Sequence, residues 1–271
     1  MQPFNQHPDV ISLKTHFDEK VVPQHLRDLL KDEARNNQLF VKDGNLIADF
    51  TRNKIDVAGY EKLLALAKSL QIREKVSAMF SGEVINTTEK RKVGHVFLRK
   101  PADSCDPEVL KVREQIKEFS QKIRGGEIRG CEGGLTLRNV VAIGIGGSYL
   151  GPEFVFEALR TDETASAAAQ GRSLRFLANV DPVDAARALS GMDAETTLVI
   201  IVSKTFTTAE TMLNARTIKD WIIKNVAADA ATAVSKHMIA CSTAIPKVVD
   251  FGISQDNIFG FWDWVGGRYM V

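Results

Sequence analysis

The second half of the chain contains five short apolar runs separated by helix-like or loop-like segments, and this repetition restricts the possible folds more than any other feature. The runs are NVVAIGIG, LRFLANVD, TLVIIVS, HMIACST and IFGFW, all between residues 139 and 262. Runs of this length without polar alternation are typical of strands buried on both faces of a sheet. Because strands that alternate with helices form a parallel, doubly wound sheet, we predict an α/β fold with a five-stranded parallel sheet flanked by helices.

Residues 1–125 have a different pattern. Apolar positions recur at intervals of three and four in PQHLRDLLKDEARN, VAGYEKLLALAKSLQIREKVSAMF and DPEVLKVREQIKEFSQKIRGG, which indicates helices. Between the first two, Asp43-Gly44 lies among β-prone residues and predicts a small hairpin. We therefore predict a mainly helical N-terminal region over residues 1–125 and, after the glycine-rich stretch RGGEIRGCEGG, a sheet domain over residues 126–271.

Composition excludes several classes of function. The chain has 35 Lys and Arg against 34 Asp and Glu, a formal net charge of +1, so it lacks the basic surplus of a nucleic-acid-binding protein. No apolar stretch approaches the roughly 20 residues of a membrane helix, and the first residues lack the apolar block of a signal peptide. Three separate cysteines without a Cys-x-x-Cys pair indicate neither disulfides nor zinc. We expect a soluble cytoplasmic protein that binds neither nucleic acid nor membrane.

The first apolar run ends in GIGGSYLGP, a glycine-rich turn before a helix. Gly146 and Gly147 allow close approach of a ligand to the backbone, and Ser148 offers a hydroxyl near the N–H groups of the helix. The spacing does not match a dinucleotide-binding motif, because Tyr149 stands where the third glycine belongs, and no Walker motif occurs in the chain. We expect a phosphate or carboxylate site and no nucleotide cofactor, although a simple tight turn would explain this motif taken alone.

The third run ends in SKTFTT, which places four hydroxyls and an ammonium within six residues. Thr207 and Glu210 have the spacing of a capping box. A cap leaves Ser203, Lys204, Thr205 and Thr208 unexplained. Several donors beside a helix N-terminus suit a dianionic group, so we predict that this loop binds a phosphate monoester.

The fifth run ends in FWDWVGGRYMV. Trp262 and Trp264 are expected to be core or wall residues, since aromatic side chains usually bury area. In Gly266-Gly267-Arg268, the glycines allow close approach and the arginine can stabilise a developing oxyanion. A surface or salt-bridging arginine is the alternative if the motif is considered alone.

Five motifs together closely resemble the glucose-6-phosphate isomerase (phosphoglucose isomerase) family: IADFTRNKI, INTTEKRKVGHVFLR, IGIGGSYLGP, VSKTFTTAET and FGFWDWVGGRYMV. They occur in the family's order across nearly the whole chain. The resemblance implies a sugar isomerase (SIS) fold. It also implies aldose-ketose isomerisation between glucose 6-phosphate and fructose 6-phosphate in glycolysis and gluconeogenesis, through a cis-enediolate, in a homodimer without metal or organic cofactor.

The resemblance also implies roles for individual residues. The sugar phosphate would be held by Gly147, Ser148, Ser203, Lys204, Thr205, Thr207 and Thr208. Arg268 matches the arginine that stabilises the cis-enediolate, with Gly267 beside it. Tyr149 and Met270 depart from the commoner residues of the family, and neither side chain is expected to carry chemistry. His95 lies in a shared motif and fits a structural histidine as well as a contact residue.

The family's chains are considerably longer, so this chain resembles their N-terminal portion, with a first SIS domain that stops within the Gly-Gly-Arg-Tyr motif. The glutamate base, a histidine near it and a C-terminal lysine are expected downstream of Val271, and this chain alone is expected to be inactive. A non-catalytic SIS regulator that binds sugar phosphates remains open as an alternative. An isomerase of shorter sugars or an aminotransferring enzyme with the same fold fits less well, because those lack the FWDWVGGRY stretch.

Overall fold

The computed structural model describes residues 3–131 and 133–267. The chain divides into two compact units, Met1–Glu83 and Val84–Val271, which are described separately. This boundary lies at residue 83, whereas the change in sequence pattern lies near residue 125, at the end of a helix of the second unit. The predicted domain division at residue 125 stays a prediction.

The first unit is mainly helical and contains one small hairpin. Its elements are α1 (Pro8–His16), α2 (Leu26–Leu29), α3 (Glu33–Leu39), β1 (Phe40–Asp43), β2 (Leu46–Asp49), α4 (Val57–Ser69) and α5 (Ile72–Ser81). The strands β1 and β2 pair antiparallel, with Asp43 opposite Leu46. Gly44 between them has a φ of 57°, a conformation that glycine adopts without strain. The predicted hairpin is confirmed.

Two of the helices predicted in this unit are each divided into two. In the first, Asp32 accepts the backbone N–H of Arg35 and caps α3, which separates α3 from α2. In the second, Gln71 has a φ of 54° and ends the continuous helix between α4 and α5. Apolar periodicity continues across both interruptions, so the sequence pattern alone did not reveal them.

The second unit contains the predicted sheet. Its elements are α6 (Pro107–Gly125), β3 (Asn139–Ile143), α7 (Gly147–Leu159), α8 (Glu163–Ala169), β4 (Ser173–Leu177), α9 (Pro182–Leu189), β5 (Thr197–Val202), α10 (Ala209–Asn225), α11 (Ala230–His237), β6 (Met238–Ser242), α12 (Ile245–Phe251) and β7 (Ile258–Gly260). The strands pair in parallel in the order β4-β3-β5-β6-β7. The prediction of a five-stranded parallel sheet flanked by helices is confirmed.

The core of this unit lies along the central strands. Val141, Ile143, Leu177, Val199 and Ile201 are fully buried, which explains why their runs lack polar alternation. Each such side chain contributes about 1.5–3 kcal/mol through burial.

One buried histidine links the start of this sheet to the loop before it. The His237 ring donates from Nδ1 to the Thr197 carbonyl at 2.8 Å, and its Nε2 accepts the Cys131 N–H at 3.3 Å. Both ring nitrogens therefore have partners, as buried polar groups require.

Strand order places the predicted site loops together. Strand β3 lies between β4 and β5, and Ile143 pairs with Ile201 at the ends of β3 and β5. The loops after β3 and β5 therefore leave the same edge of the sheet side by side, at the point where the order of strands reverses. Among the residues that the structure describes, no helix is long and apolar enough to span a membrane.

Candidate functional site

The loop after β3 is a turn that requires glycine. A side chain at Gly144 would lie 2.7 Å from the Ser148 carbonyl oxygen, and Gly146 has a φ of 58°. Helix α7 begins at Gly147, and Ser148 donates its N–H to the Ile145 carbonyl at 3.2 Å. The first N–H groups of a helix lack intrahelical partners, so this turn presents donors and a partly exposed hydroxyl at the carboxyl edge of the sheet.

The loop after β5, residues 203–208, is held in an unusual conformation. Ser203 is only 3% exposed, and its hydroxyl accepts the Phe206 N–H at 3.2 Å. Phe206 has a φ of 52°, which is rare for a bulky residue. Its ring is buried and packs edge-on against Phe251, with centroids 5.7 Å apart. Packing of Phe206 thus maintains a strained backbone, a feature that is common in ligand-binding loops.

The end of β6 also holds this loop. The Lys204 carbonyl accepts hydrogen bonds from the Thr243 N–H at 3.1 Å, the Thr243 hydroxyl at 2.7 Å and the Ser242 hydroxyl at 3.1 Å. Sequence reasoning missed both residues. The signal was present, because HMIACST ends in hydroxyl residues just as TLVIIVS does.

The Lys204 side chain connects this loop to residues 261–267. Its ammonium donates to the Asp263 carbonyl at 2.7 Å and to the Val265 carbonyl at 2.6 Å. Desolvation, followed by the nearby charge of Arg91, lowers the pKa of Lys204 below its usual range. An ammonium has three N–H groups, so one remains for a ligand.

The three threonines of the loop are exposed near the N-terminus of α10. The hydroxyl of Thr207 donates to that of Thr205 at 2.8 Å, and Thr208 is the N-cap residue of α10 without a side-chain capping bond. The predicted capping box of Thr207 and Glu210 is wrong, because the helix begins one residue later than that motif requires. The threonine hydroxyls are therefore not explained by helix capping.

Residues 91–95, which precede the sheet in the chain, also form hydrogen bonds with residues 261–267. The Gly266 N–H donates to His95 Nε2 at 2.9 Å, the Gly94 N–H donates to the Trp264 carbonyl at 3.1 Å, and Arg91 donates to the Asp263 carbonyl at 3.3 Å. A side chain at Gly94 would overlap the Trp264 ring. His95 therefore has a defined structural partner.

The loop after β7 contains the last residues that the structure describes, 261–267. Trp262 and Trp264 stack with centroids 5.0 Å apart, consistent with wall residues. Gly267 is close to the Lys204 side chain, because a Cβ at Gly267 would lie 4.0 Å from Lys204 Cδ. Arg268 and Met270 lie outside the described residues.

The predicted binding residues thus lie on three loops at one edge of the sheet: Gly147 and Ser148 after β3, Ser203, Lys204, Thr205, Thr207 and Thr208 after β5, and Gly267 after β7. Hydroxyls, helix N-termini and one ammonium can bind a compact anion. Across residues 3–131 and 133–267, no group of three His, Cys, Asp or Glu side chains is arranged to hold a metal ion.

Comparisons with known proteins agree with this architecture. A solved structure of a glucose-6-phosphate isomerase from Chlamydia trachomatis superposes with a TM-score of 0.68 at 22% identity, over 99% of this chain and 50% of its own. That identity supports the fold alone, which is the SIS fold.

Sequence comparisons identify the family. The family model for phosphoglucose isomerase matches residues 49–271. The cytosolic glucose-6-phosphate isomerase of Arabidopsis thaliana is 53% identical over 96% of this chain and 47% of its own length. The cytosolic B enzyme of Oryza sativa subsp. japonica is 51% identical over 91% of this chain and 44% of its own. The chain belongs to the phosphoglucose isomerase family, and it spans about half the length of these relatives.

Proposed function

We propose that this chain binds the phosphate group of a hexose 6-phosphate, as part of an enzyme that interconverts glucose 6-phosphate and fructose 6-phosphate. The observation that carries this proposal is the position of the exposed hydroxyls. Thr205, Thr207 and Thr208 follow β5 and lie near the N-terminus of α10. Ser148 lies in the first turn of α7, which follows the neighbouring strand β3. Two helix N-termini and four hydroxyls at one edge favour a dianionic phosphate over a neutral sugar.

In this proposal the residues of the phosphate site have different roles. Ser148, Thr205 and Thr208 donate hydrogen bonds to phosphate oxygens, and Gly147 offers its backbone N–H. The Thr207 hydroxyl donates to the Thr205 hydroxyl and so directs the Thr205 proton toward the phosphate. Lys204 supplies its third N–H and a positive charge. Ser203 acts on the conformation of the loop, because its hydroxyl is buried against the Phe206 N–H.

The proposed chemistry is a proton transfer between C2 and C1 through a cis-enediolate, which Arg268 and the adjacent Gly267 stabilise by analogy with the family. We propose that the glutamate base is not among these 271 residues. Two carboxylates near Lys204, those of Glu89 and Asp263, are exposed and lie 3.9 and 3.8 Å from the Arg91 guanidinium. A general base has to reach the reacting carbon, whereas these two carboxylates are engaged with a cation at the surface.

The remaining parts of the proposal rest on the relatives. Those from Arabidopsis thaliana and Oryza sativa are named cytosolic. We propose a cytoplasmic enzyme of glycolysis and gluconeogenesis that uses no cofactor and forms a homodimer at full length. The dimer rests on family resemblance alone.

A binding measurement tests the first part of this proposal. Fructose 6-phosphate is titrated by calorimetry into the chain and into a Thr205→Val, Thr207→Val, Thr208→Val variant. Loss of these hydrogen bonds is expected to weaken binding about ten-fold or more. Thr217→Val is the matched control, because Thr217 lies on α10 and its hydroxyl bonds only to its own helix, at the Leu213 carbonyl. Equal affinities in all three proteins would contradict the proposal that these hydroxyls bind phosphate.

An activity measurement tests the second part. A coupled assay on fructose 6-phosphate is expected to detect no turnover by this chain and turnover by a full-length family protein that contains it. Turnover by the chain alone would show that the base lies within these residues. Binding without turnover in the longer protein would favour the non-catalytic SIS regulator.

A further inference from the structure

A second group of cations surrounds a cavity at the opposite edge of the sheet, where the strands begin. The cavity has a volume of about 180 Å³, and the residues that line it include Arg124, Arg138 and Arg172. Gly125, Gly126 and Gly171 form part of its wall. We call this feature the arginine cavity. No single motif in the sequence indicates this cavity, because its residues come from three separate segments.

Two of these arginines occupy matching positions on neighbouring strands. Arg138 directly precedes β3 and Arg172 directly precedes β4, and the strands pair in parallel with Asn139 opposite Ser173. The Ser173 N–H donates to the Arg138 carbonyl at 3.0 Å, which continues the same register. Neighbouring positions of paired strands point to the same face, and like charges there destabilise a sheet. Both arginines are exposed and line the same cavity, so an anion bound there would lie near both positive charges.

Two of the three guanidinium groups, those of Arg124 and Arg172, are held by backbone carbonyls. Arg124 donates to the Ala168 carbonyl at 2.8 Å, and Arg172 donates to the Arg124 carbonyl at 2.6 Å. Each contact uses one of the five N–H donors of an arginine, so both side chains are fixed and retain free donors. Arg138 makes no side-chain hydrogen bond or ion pair within residues 3–131 and 133–267. Arg124 and Arg172 are therefore held with donors to spare, which lowers the entropy cost of binding an anion, and Arg138 adds a third guanidinium group.

The charge around the arginine cavity is not balanced. Arg129 lies beside Gly126, and Glu127 lies beside Gly125. Four arginines and one glutamate give a local charge of 4 − 1 = +3, whereas the formal charge of the whole chain is +1. Within the described part of the chain, no carboxylate lines the cavity itself. The charge therefore favours a ligand with more than one negative charge.

We propose that the arginine cavity is a second anion site, which binds the phosphate group of a small molecule and is separate from the loops at the carboxyl edge. Arginine forks match phosphate oxygens in a bidentate geometry. The three glycines leave room for close approach to the backbone. The volume accommodates a phosphate group with a few further atoms and excludes a long polyanion from the interior of the cavity.

Nuclear magnetic resonance tests this proposal with inorganic phosphate as the probe. Phosphate is added at constant ionic strength, balanced with chloride, while the backbone amides of Gly125, Gly126 and Gly171 are followed. Saturable shifts of these amides are expected, and they should persist in the Thr205→Val, Thr207→Val, Thr208→Val variant. Shifts that are absent, or that rise linearly without saturation, would overturn the proposal.

Two double variants that remove the same charge test whether phosphate binding depends on the arginine cavity itself. Arg138→Gln, Arg172→Gln is expected to weaken phosphate binding at these glycines at least about ten-fold. Arg160→Gln, Arg187→Gln removes the same charge from exposed positions and should change the affinity less than about two-fold. Equal affinities in both double variants, or an equal loss in both, would overturn the proposal.

A stability measurement covers the case in which the variant folds poorly. In the absence of phosphate, Arg138→Gln, Arg172→Gln is expected to unfold slightly below the wild-type temperature, because the hydrogen bond from Arg172 to the Arg124 carbonyl is lost. Added phosphate should raise the unfolding temperature of the wild type but not that of the variant. An equal rise in both proteins, or no rise in the wild type, would overturn the proposal.

Discussion

The two units of this protein each contain a cation that binds backbone carbonyls, and the two cations differ in how many donors they have left. In the first unit, Arg35 is 1% exposed and uses all five N–H groups, on the carbonyls of Ile55, Leu29, Thr51 and Asn53 and on the side chain of Asn36. In the second unit, Lys204 uses two of three, on the carbonyls of Asp263 and Val265.

The difference separates a structural cation from a binding cation. Arg35 is saturated, so it can only hold the chain around residues 51–55 in place. Lys204 is partly exposed at the carboxyl edge of the sheet and retains a donor, so it can hold a loop and bind an anion. Neither residue forms an ion pair with a carboxylate among the described residues. Counting donors therefore distinguishes two cations that the sequence presents alike.

The largest effect is expected from Arg35→Met. This change leaves one buried and three partly buried carbonyls without these donors and should lower the stability of the first unit by about 3 kcal/mol. Hydrogen exchange of the amides between residues 29 and 56 measures the loss locally. Arg27→Met is the control, because Arg27 is exposed on α2 and should change stability by less than about 0.5 kcal/mol. Equal protection in both variants would remove the distinction between the two cations.

Lys204→Met should have the next largest effect, and on binding as well as on stability. Loss of the charged donor is expected to weaken fructose 6-phosphate binding by about 1.5–3 kcal/mol. Amides between residues 263 and 266 should also exchange faster, since the loop loses its contact with Lys204. Lys224→Met, at an exposed position of α10, should leave both quantities unchanged. Faster exchange without weaker binding would make Lys204 a structural cation like Arg35.

A smaller effect is expected from His95→Ala, which removes the acceptor of the Gly266 N–H. The loss of one hydrogen bond should destabilise residues 264–267 by about 1 kcal/mol, measured by exchange of the Gly266 amide. His95→Gln can restore an acceptor and should recover part of the protection. If both variants behave as the wild type, Lys204 rather than His95 fixes this loop.

The smallest effect concerns pH in the first unit, near the segment that Arg35 holds. Partial burial raises the pKa of Asp56, but hydrogen bonds from His16 at 2.8 Å and the Gly59 N–H outweigh it, so the pKa is lowered below 3.8. Because the folded pKa is depressed, the stabilisation is complete above the unfolded value of about 3.8 and is lost as pH falls below it.

This contribution should amount to less than about 1 kcal/mol, as for other partly exposed ion pairs. Comparison of acid unfolding of the wild type and Asp56→Asn measures it. A loss of Asp56-dependent stability that begins well above pH 4 would contradict the assigned direction.

Sequence patterns predicted the elements of the second unit well. Each of the five apolar runs contains a strand, because helices cover both faces of the sheet and residues such as Val141 and Ile201 are fully buried. The hairpin at Gly44 and helix α6 were also confirmed. Helix continuity was predicted less well, since the interruptions at Asp32 and Gln71 depend on single backbone conformations that periodicity does not report.

The sequence predicts which residues form the candidate site, but it does not predict the role of each residue there. Ser203 and Lys204 were both assigned to phosphate binding, which stays a prediction. The structure adds that the Ser203 hydroxyl is turned into its own loop and that Lys204 is also a bridge to residues 263–265. The capping box at Thr207 was wrong by one residue. These are questions of where a donor points, and no spacing in the sequence states that.

Local patterns in the sequence are enough to predict the α/β class, the parallel sheet and the hydroxyl-rich loops at the ends of strands, because burial and turn chemistry act through neighbouring residues. Which donors are already in use depends on contacts between distant segments. The five bonds of Arg35, the two of Lys204 and the convergence of Arg124, Arg138 and Arg172 on one cavity join residues far apart in the chain. Such contacts depend on strand order and loop geometry, and a local pattern carries no record of either.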